Sequence, residues 1–358
     1  MTRESELEQR AANGDKDSQI ALARRLENEG RNELAREWYA RAAERGDLSA
    51  LVSLAKNLLA RKPVRAQIGV NMVRTAAERG DAEALHICAV IASQDMNLHA
   101  RWRVALDFLV GAAEKGSVLA RRELQLLSGS EDAAPARSFQ DDARRVNIER
   151  WLKPAPPQTR FEAPRIVTCT GFATAAECDW LIQRAGPRLK PAEVYDPQAQ
   201  GGLRADEIRN NSDTSFDIVE SDLVLMALRE RIARLAQLQT DEFEPTMVLH
   251  YTPGQQFAPH FDFVEATAPH LARDIAENGQ RVATFLLYLN DDFEGGETDF
   301  PALGWRYKGR KGDALLFWNV DATGLPDPAT LHAGLKPVRG EKWVLSQWMR
   351  RKSQPMPA

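Results

Sequence analysis

The second half of the chain contains the stretch Leu249-His250-Tyr251-Thr252-Pro253-Gly254-Gln255-Gln256-Phe257-Ala258-Pro259-His260-Phe261-Asp262. Residues two apart in an extended strand point to the same face, so the imidazole of His260 and the carboxylate of Asp262 converge on one point. A third donor would complete a metal site there. His332, much later in the chain, is the best candidate for that donor.

Two imidazoles and one carboxylate occupy three adjacent positions around an octahedral metal and leave three positions open. This ligand set is typical of non-haem Fe(II) sites. We therefore predict that His260, Asp262 and His332 bind Fe(II) and form the catalytic centre. His250 alternates with Tyr251 along the same stretch, and we expect it to face away from the metal.

The pattern after Phe161 indicates a β-rich domain, because short runs of β-branched and aromatic residues alternate with turn residues. The predicted strands are Ile166–Thr168, Met247–Tyr251, Val282–Leu289, Ala314–Trp318 and Trp343–Trp348. Predicted helices lie near Ala175–Ala185 and Ser221–Ala236, and His270 falls in an insertion-like loop. This order favours a double-stranded β-helix, or jelly-roll, with flanking helices, a fold that can bring His260 next to His332.

The first half of the chain repeats an alanine pair followed by a glycine. The four copies are Ala11-Ala12-Asn13-Gly14, Ala42-Ala43-Glu44-Arg45-Gly46, Ala76-Ala77-Glu78-Arg79-Gly80 and Ala112-Ala113-Glu114-Lys115-Gly116. Their glycines stand 32 to 36 residues apart, which is the period of helix-turn-helix solenoids. Small alanines allow close helix packing, each glycine ends a helix, and Asp47 or Asp81 can cap the next one.

These patterns together predict an α+β multidomain protein with four parts. A helical repeat domain covers 1–128, and a linker with a short helix near Asp141–Trp151 covers 129–160. The jelly-roll domain covers 161–352, and 353–358 form a tail. The repeats serve either as a stabilising spacer or as a surface for a peptide or protein partner.

Composition excludes several classes of protein. The 358 residues are 43% hydrophobic and 27% charged, with a net charge of -4, so we expect no nucleic-acid binding. No apolar run is long enough for a membrane span and the start has no apolar signal region, so we expect a cytoplasmic protein without membrane association. Cys88, Cys169 and Cys178 form neither a disulfide pattern nor a zinc motif.

Five ordered blocks of the second half resemble the prolyl 4-hydroxylase group of 2-oxoglutarate- and Fe(II)-dependent dioxygenases, over about residues 165 to 351. The blocks are Leu249–Gln255, His260–Asp262, Phe293–Pro301, Lys311–Phe317 and Leu331–Gly334 with Gly340–Trp343. Residues 7 to 128 resemble Sel-one-like repeats, which are relatives of the tetratricopeptide repeat.

The resemblance implies 2-oxoglutarate as co-substrate, dioxygen as oxidant and possible use of L-ascorbate. It assigns Lys342 to the distal carboxylate of 2-oxoglutarate, for which a charge-assisted bond is suited. It also places Tyr251 and Thr284 along the co-substrate pocket, with ordinary core packing as the alternative. Arg209 falls in a loop that covers the substrate in the family, but the usual Arg-x-Ser reads Arg-x-Asn here.

The resemblance therefore implies hydroxylation of an unactivated C–H bond, with a prolyl residue of a peptide or protein as the expected target. Family members that act on collagen carry a helical peptide-binding domain ahead of the catalytic one, so the repeats are expected to recruit the substrate. Two alternatives stay open. One is a hydroxylase of a small molecule or another side chain, and the other is a repeat-based scaffold with an inactive oxygenase domain.

Overall fold

The computed structural model describes residues 3–59, 63–94, 98–130, 138–192, 194–195, 203–204 and 209–351. The predicted tail, residues 131–137 of the predicted linker, and residues 196–202 and 205–208 of the predicted substrate loop lie outside these ranges. Across the ranges that the structure covers, no helix combines the length and the apolar character that crossing a membrane requires.

Two compact units make up the chain. Met1–Ile148 and Asp217–Met226 form the first, here called the helical unit, and Glu149–Phe216 and Ala227–Ala358 form the second, here called the sheet unit. The helical unit thus runs past the predicted boundary at residue 128 and includes a segment from the predicted jelly-roll domain.

The helical unit is built from successive antiparallel helices. They are α1 (Arg3–Ala12), α2 (Lys16–Asn28), α3 (Asn32–Glu44), α4 (Leu48–Leu59), α5 (Pro63–Glu78), α6 (Ala82–Ala92), α7 (Leu98–Glu114), α8 (Val118–Ser128) and α9 (Phe139–Arg145). The four glycines of the alanine motif follow helix ends with φ between 83° and 99°, a region open to glycine. Asp47 and Asp81 accept the backbone N–H groups of Ala50 and Ala84, which confirms the predicted caps.

A basic residue before the glycine links one repeat to the preceding one. Nη1 of Arg45 donates to the carbonyl oxygen of Gly14 at 2.7 Å, and Nη2 of Arg79 donates to that of Gly46 at 3.2 Å. These carbonyls belong to helix ends, where no intrahelical donor is available. The repeats are therefore joined by hydrogen bonds as well as by their buried alanines.

The helical unit also buries a histidine beside a carboxylate. Nε2 of His86 on α6 lies 2.8 Å from Oε2 of Glu123 on α8. The other oxygen of Glu123 accepts the backbone N–H of Leu223, and Ile218 packs against the apolar core of the same unit. These contacts explain why Asp217–Met226 belongs to the helical unit, which we did not predict.

Four further helices are α10 (Ile148–Leu152), α11 (Ala175–Ala185), α12 (Leu223–Ala236) and α13 (Pro269–Asn278). The predicted helix at Ala175–Ala185 is confirmed, and α12 begins two residues later than predicted. The predicted loop around His270 is wrong, because α13 forms there. Its sequence, PHLARDIAEN, starts with a proline at the first helical position, a start signal that we overlooked.

The strands of the sheet unit follow the predicted β-rich runs. They are β1 (Gln158–Glu162), β2 (Arg165–Cys169), β3 (Lys190–Pro191), β4 (Val194–Tyr195), β5 (Leu203–Arg204), β6 (Ser212–Phe216), β7 (Thr246–Tyr251), β8 (Phe257–His260), β9 (Gln280–Tyr288), β10 (Glu294–Gly295), β11 (Thr298–Phe300), β12 (Trp305–Tyr307), β13 (Ala314–Trp318), β14 (His332–Gly334), β15 (Pro337–Arg339) and β16 (Lys342–Arg351).

Two antiparallel sheets position the site. The larger has the order β1-β2-β13-β9-β16-β7-β6-β3, and the smaller has the order β12-β11-β14-β8. Side chains from both sheets, such as Leu286 and Phe300, pack in one apolar core. Helical repeats followed by two antiparallel sheets confirm the predicted fold class, and non-consecutive neighbours such as β8 and β14 bring distant residues together.

Candidate active site

The smaller sheet brings the two predicted histidine ligands together. His332 at the start of β14 is the cross-strand partner of His260 at the end of β8. Asp262 lies two residues past His260, just beyond the strand rather than within it. One donor atom from each of the three side chains lies within 4.8 Å of the others. His250 is outside this group, and its Nε2 lies 2.9 Å from Oε2 of Glu341.

Backbone contacts decide which nitrogen each histidine presents. Nδ1 of His260 lies 2.8 Å from the carbonyl oxygen of Ala258, and Nδ1 of His332 lies 3.0 Å from that of Thr330. A carbonyl only accepts, so each Nδ1 carries the proton and each Nε2 keeps its lone pair. Both Nε2 atoms face Asp262, at 3.6 Å from Oδ1 for His260 and 3.5 Å from Oδ2 for His332.

The charge state of the cluster suits a divalent cation. Burial alone would raise the pKa of Asp262, but His332, His260 and a hydrogen bond from Thr284 lower that pKa well below its usual value. Burial, followed by the neighbouring His260, lowers the pKa of His332 to about 4. At neutral pH the cluster therefore offers a carboxylate and neutral imidazole nitrogen, the forms that bind metal.

The larger sheet places the predicted lysine and tyrosine side by side. Lys342 on β16 is the cross-strand partner of Tyr251 on β7, and its Nζ lies 5.2 Å from the centroid of the Tyr251 ring. Lys342 is 3% exposed, and burial lowers its pKa to about 7. Within the described ranges no carboxylate lies within ion-pair distance of this ammonium, so a buried cation is available to a ligand.

One pocket, here called the central pocket, contains both groups. Its lining residues are Leu249, Tyr251, Phe257, His260, Asp262, Leu286, Thr298, His332, Gly334, Lys342, Val344, Ser346 and Trp348. They come from both sheets and combine polar groups with aliphatic side chains. A pocket of this kind suits a small diacid with one end at the metal donors and the other at Lys342.

Thr284 lies outside the central pocket, contrary to the prediction that it lines the co-substrate pocket. Its hydroxyl donates to Oδ2 of Asp262 at 2.7 Å, and Thr284 is absent from the pocket lining. Thr298, which we missed, lies in the lining instead, and its Oγ1 is 2.8 Å from the hydroxyl of Tyr288. Both threonines are buried. Thr298 belongs to the Phe293–Pro301 block, a signal that pointed to its neighbourhood, whereas the direction of its side chain follows from the fold.

Arg209 lies beside the site, although part of its predicted loop is outside the described residues. It is 7% exposed and pairs with Asp213, and its guanidinium carbon lies 5.0 Å from the centroid of the Phe257 ring. Phe257 in turn stacks on His260 with ring centroids 3.5 Å apart. The arginine thus contacts the wall of the central pocket, and Asn211 accepts from its Nε at 3.4 Å.

The donor set fits Fe(II) and 2-oxoglutarate. Two imidazole nitrogens and a carboxylate match the ligand preference of ferrous iron. The unpaired, buried ammonium of Lys342 matches the need of a carboxylate that has left water. The residues that sequence patterns had indicated for these two roles, Thr284 excepted, meet in the central pocket.

Comparisons with known proteins agree with this donor set. The family model described as the 2OG-Fe(II) oxygenase superfamily matches residues 246–350. Prolyl 4-hydroxylase 1 of Arabidopsis thaliana is 36% identical over 211 residues, which cover 55% of this chain and 72% of that protein.

Solved structures resemble each half of the chain. Viral collagen prolyl hydroxylase vCPH from Paramecium Bursaria Chlorella virus-1, in its 2OG complex, is 30% identical, has a TM-score of 0.40, and covers 52% of this chain and 95% of its own. A Sel1 repeat protein from Oxalobacter formigenes is 22% identical, has a TM-score of 0.29, and covers 35% of this chain and 98% of its own. On the sequence identity to the plant enzyme, the chain belongs to the prolyl 4-hydroxylase family of 2-oxoglutarate- and Fe(II)-dependent oxygenases.

Proposed function

We propose that this dioxygenase hydroxylates prolyl residues of a peptide or protein in the central pocket. The observation that carries the proposal is the presence, in one pocket, of the His260, Asp262 and His332 donors together with the unpaired ammonium of Lys342. The relatives are named for prolyl hydroxylation, which supports a prolyl target. A scaffold with an inactive oxygenase domain would have no need to bury these groups.

Each residue has a distinct role in this proposal. Nε2 of His260, Nε2 of His332 and a carboxylate oxygen of Asp262 would hold Fe(II). When bound, Fe(II) with 2-oxoglutarate and dioxygen supplies the oxidising power to convert C–H to C–OH, as 2-oxoglutarate becomes succinate and carbon dioxide. The Nδ1 hydrogen bonds of both histidines keep their rings oriented, which preserves the metal affinity of the site.

The far end of the central pocket would bind the distal carboxylate of 2-oxoglutarate. Lys342 would donate charge-assisted hydrogen bonds to it, and the hydroxyls of Tyr251 and Thr298 line the same pocket. The side chains of Leu249, Leu286 and Val344 exclude water from the pocket and so strengthen these contacts. Ascorbate as a reductant of oxidised iron is part of the proposal, as is a cytoplasmic location.

The test is turnover with proline-containing peptides. The full-length protein, supplied with Fe(II), 2-oxoglutarate and dioxygen, is expected to release succinate and to add one oxygen atom to the peptide. His260→Ala should do neither, while His250→Ala, which changes a histidine outside the site, should do both. Succinate release without peptide modification, together with an oxidised metabolite, would show that the substrate is a small molecule and not a prolyl residue.

We also propose that the helical unit recruits a protein substrate. Support comes from an open cavity on this unit, lined by Arg74, Cys88, Ile91, Ala92, Gln94, Val104 and Phe108. Removing the repeats would strip Leu223 of its bond to Glu123, so a surface change is the better test. Val104→Glu in the full chain should raise KM for a protein substrate and leave KM for a short peptide unchanged. A KM for the protein substrate that is the same in Val104→Glu and in the wild type would contradict recruitment.

A further inference from the structure

A buried chain of two hydrogen bonds holds the carboxylate of Asp262. Thr284 on β9 donates its hydroxyl to Oδ2 of Asp262 at 2.7 Å. Asn319, the residue after β13, donates its amide nitrogen to Oγ1 of Thr284 at 3.0 Å. Thr284 and Asn319 are 0% exposed and Asp262 is 4% exposed, so water cannot replace either contact.

The direction of both bonds follows from the chemistry of the groups. An ionised carboxylate only accepts, so the single hydroxyl hydrogen of Thr284 points to Asp262. Thr284 must then accept from Asn319, which fixes the amide with its NH₂ group toward the threonine. Oδ1 of Asn319 is buried and has no hydrogen-bond partner in the described part of the chain. Such an unpaired acceptor is unfavourable, which indicates that the NH₂ contact matters at this position.

We propose that Thr284 and Asn319 are positioning residues that hold the carboxylate of Asp262 in the orientation in which it would bind the metal. The inference rests on the proposed Fe(II) site. Oδ1 of Asp262 lies 3.6 Å from Nε2 of His260, and Oδ2 lies 3.5 Å from Nε2 of His332. Both separations exceed a hydrogen bond, so the histidines alone do not fix the carboxylate. The hydroxyl of Thr284 binds Oδ2 directly and so fixes the rotation of the carboxylate.

The test is the Fe(II) dissociation constant of the full-length protein, measured without oxygen by competition with a coloured chelator. Thr284→Val keeps the shape but removes the hydroxyl, and should weaken Fe(II) binding about 10- to 100-fold. Thr284→Ser restores the hydroxyl and should bind within about threefold of the wild type. Asn319→Ala should weaken binding less, and the double variant with Thr284→Val should be no worse than Thr284→Val alone, because Asn319 acts through the hydroxyl.

Thr168→Val provides the matched control, because it removes another buried threonine hydroxyl, one that accepts from Nε of Arg160 at 2.8 Å. It should leave Fe(II) affinity unchanged. Wild-type affinity in Thr284→Val, failure of Thr284→Ser to restore binding, or additive losses in the double variant would each overturn the inference. If the wild-type protein binds no Fe(II), the proposed function is wrong, and the inference that rests on it is wrong as well.

Discussion

Both units bury a histidine beside a carboxylate, yet the two clusters differ in whether Nε2 of the histidine is hydrogen-bonded to that carboxylate. In the helical unit, Nε2 of His86 lies at hydrogen-bond distance from Glu123, 2.8 Å, and the second oxygen of Glu123 accepts the N–H of Leu223. In the sheet unit, the Nε2 atoms of His260 and His332 stop at 3.5 to 3.6 Å from Asp262.

The difference lies in the nitrogen that the protein itself uses. His260 and His332 bond the backbone through Nδ1, which leaves both Nε2 lone pairs directed at one point. His86 uses Nε2 for a direct bond, so that nitrogen has no lone pair to offer a cation. A buried histidine is therefore a metal-ligand candidate when backbone carbonyls occupy its far nitrogen and the near one faces other donors.

Removing the carboxylate from each cluster should give the largest contrast. Asp262→Ala is expected to lower succinate formation by roughly a thousandfold or more, because the metal loses the carboxylate that the protein supplies. Glu123→Ala should retain turnover per folded molecule, since Glu123 serves the helical unit. Succinate assays on both variants, with the folded fraction measured in parallel, check this. Comparable turnover losses in the two variants would remove the distinction between the clusters.

Replacing the unpaired ammonium should have the next largest effect. Lys342→Met is expected to raise KM for 2-oxoglutarate about a hundredfold, as a desolvated carboxylate loses a charge-assisted partner worth about 3 kcal/mol. Lys311→Met, which removes a surface lysine paired with Asp179, should leave that KM unchanged. An unchanged KM in Lys342→Met would show that the distal carboxylate binds elsewhere.

The depressed pKa of Lys342 predicts a pH dependence of co-substrate binding. Because burial lowers this pKa from 10.5 to about 7, the free enzyme loses the ammonium above pH 7. Its affinity for 2-oxoglutarate should then fall about tenfold per pH unit. Lys342→Arg keeps its charge and should flatten the profile. Calorimetric titration between pH 6 and 9 measures the effect, and a flat wild-type profile would refute it.

The lowered pKa of Lys342 has the opposite effect on stability: it weakens co-substrate binding as the pH rises, but it raises the free energy of unfolding. The unfolded chain keeps the proton on Lys342 up to about pH 10.5, while the folded chain without 2-oxoglutarate loses it near pH 7. This group therefore makes the free energy of unfolding rise between those pH values.

The smallest expected effect is in the helical unit. Glu123→Ala should lower the free energy of unfolding by about 1–3 kcal/mol, because it leaves the N–H of Leu223 buried without its acceptor. Glu123→Gln keeps an acceptor for that N–H and should cost less. Denaturant unfolding of both variants compares them. Equal stability of Glu123→Ala and the wild type would mean that water enters and replaces the carboxylate.

Sequence patterns predicted the features that depend on residues close together in the chain. The β-rich runs that form β7 and β16, the repeat glycines and the spacing of His260 and Asp262 each have a short-range signal. The pairing of His260 with His332 needed a fold in which distant strands are neighbours, and the family resemblance supplied it. The metal donors and Lys342 could therefore be named before the structure was known.

The contacts that escaped prediction join residues far apart in the chain and have no periodic signal. Asn319 follows a strand and resembles any polar turn residue, so nothing in the sequence connects it to Thr284. Glu123 looks like a helix surface residue, yet it is fully buried. Which of two threonines faces the pocket depends on strand direction and register, and these are properties of the complete sheet.

The iron bound to the protein measures directly whether His260, Asp262 and His332 form a metal site. The full chain is loaded with Fe(II) and 2-oxoglutarate without oxygen, passed through a desalting column and assayed for iron. We expect one iron per chain for the wild type and for His86→Ala, and none for His332→Ala. Iron retained by His332→Ala, or lost from His86→Ala while it remains folded, would contradict the assignment of the iron site to the sheet unit.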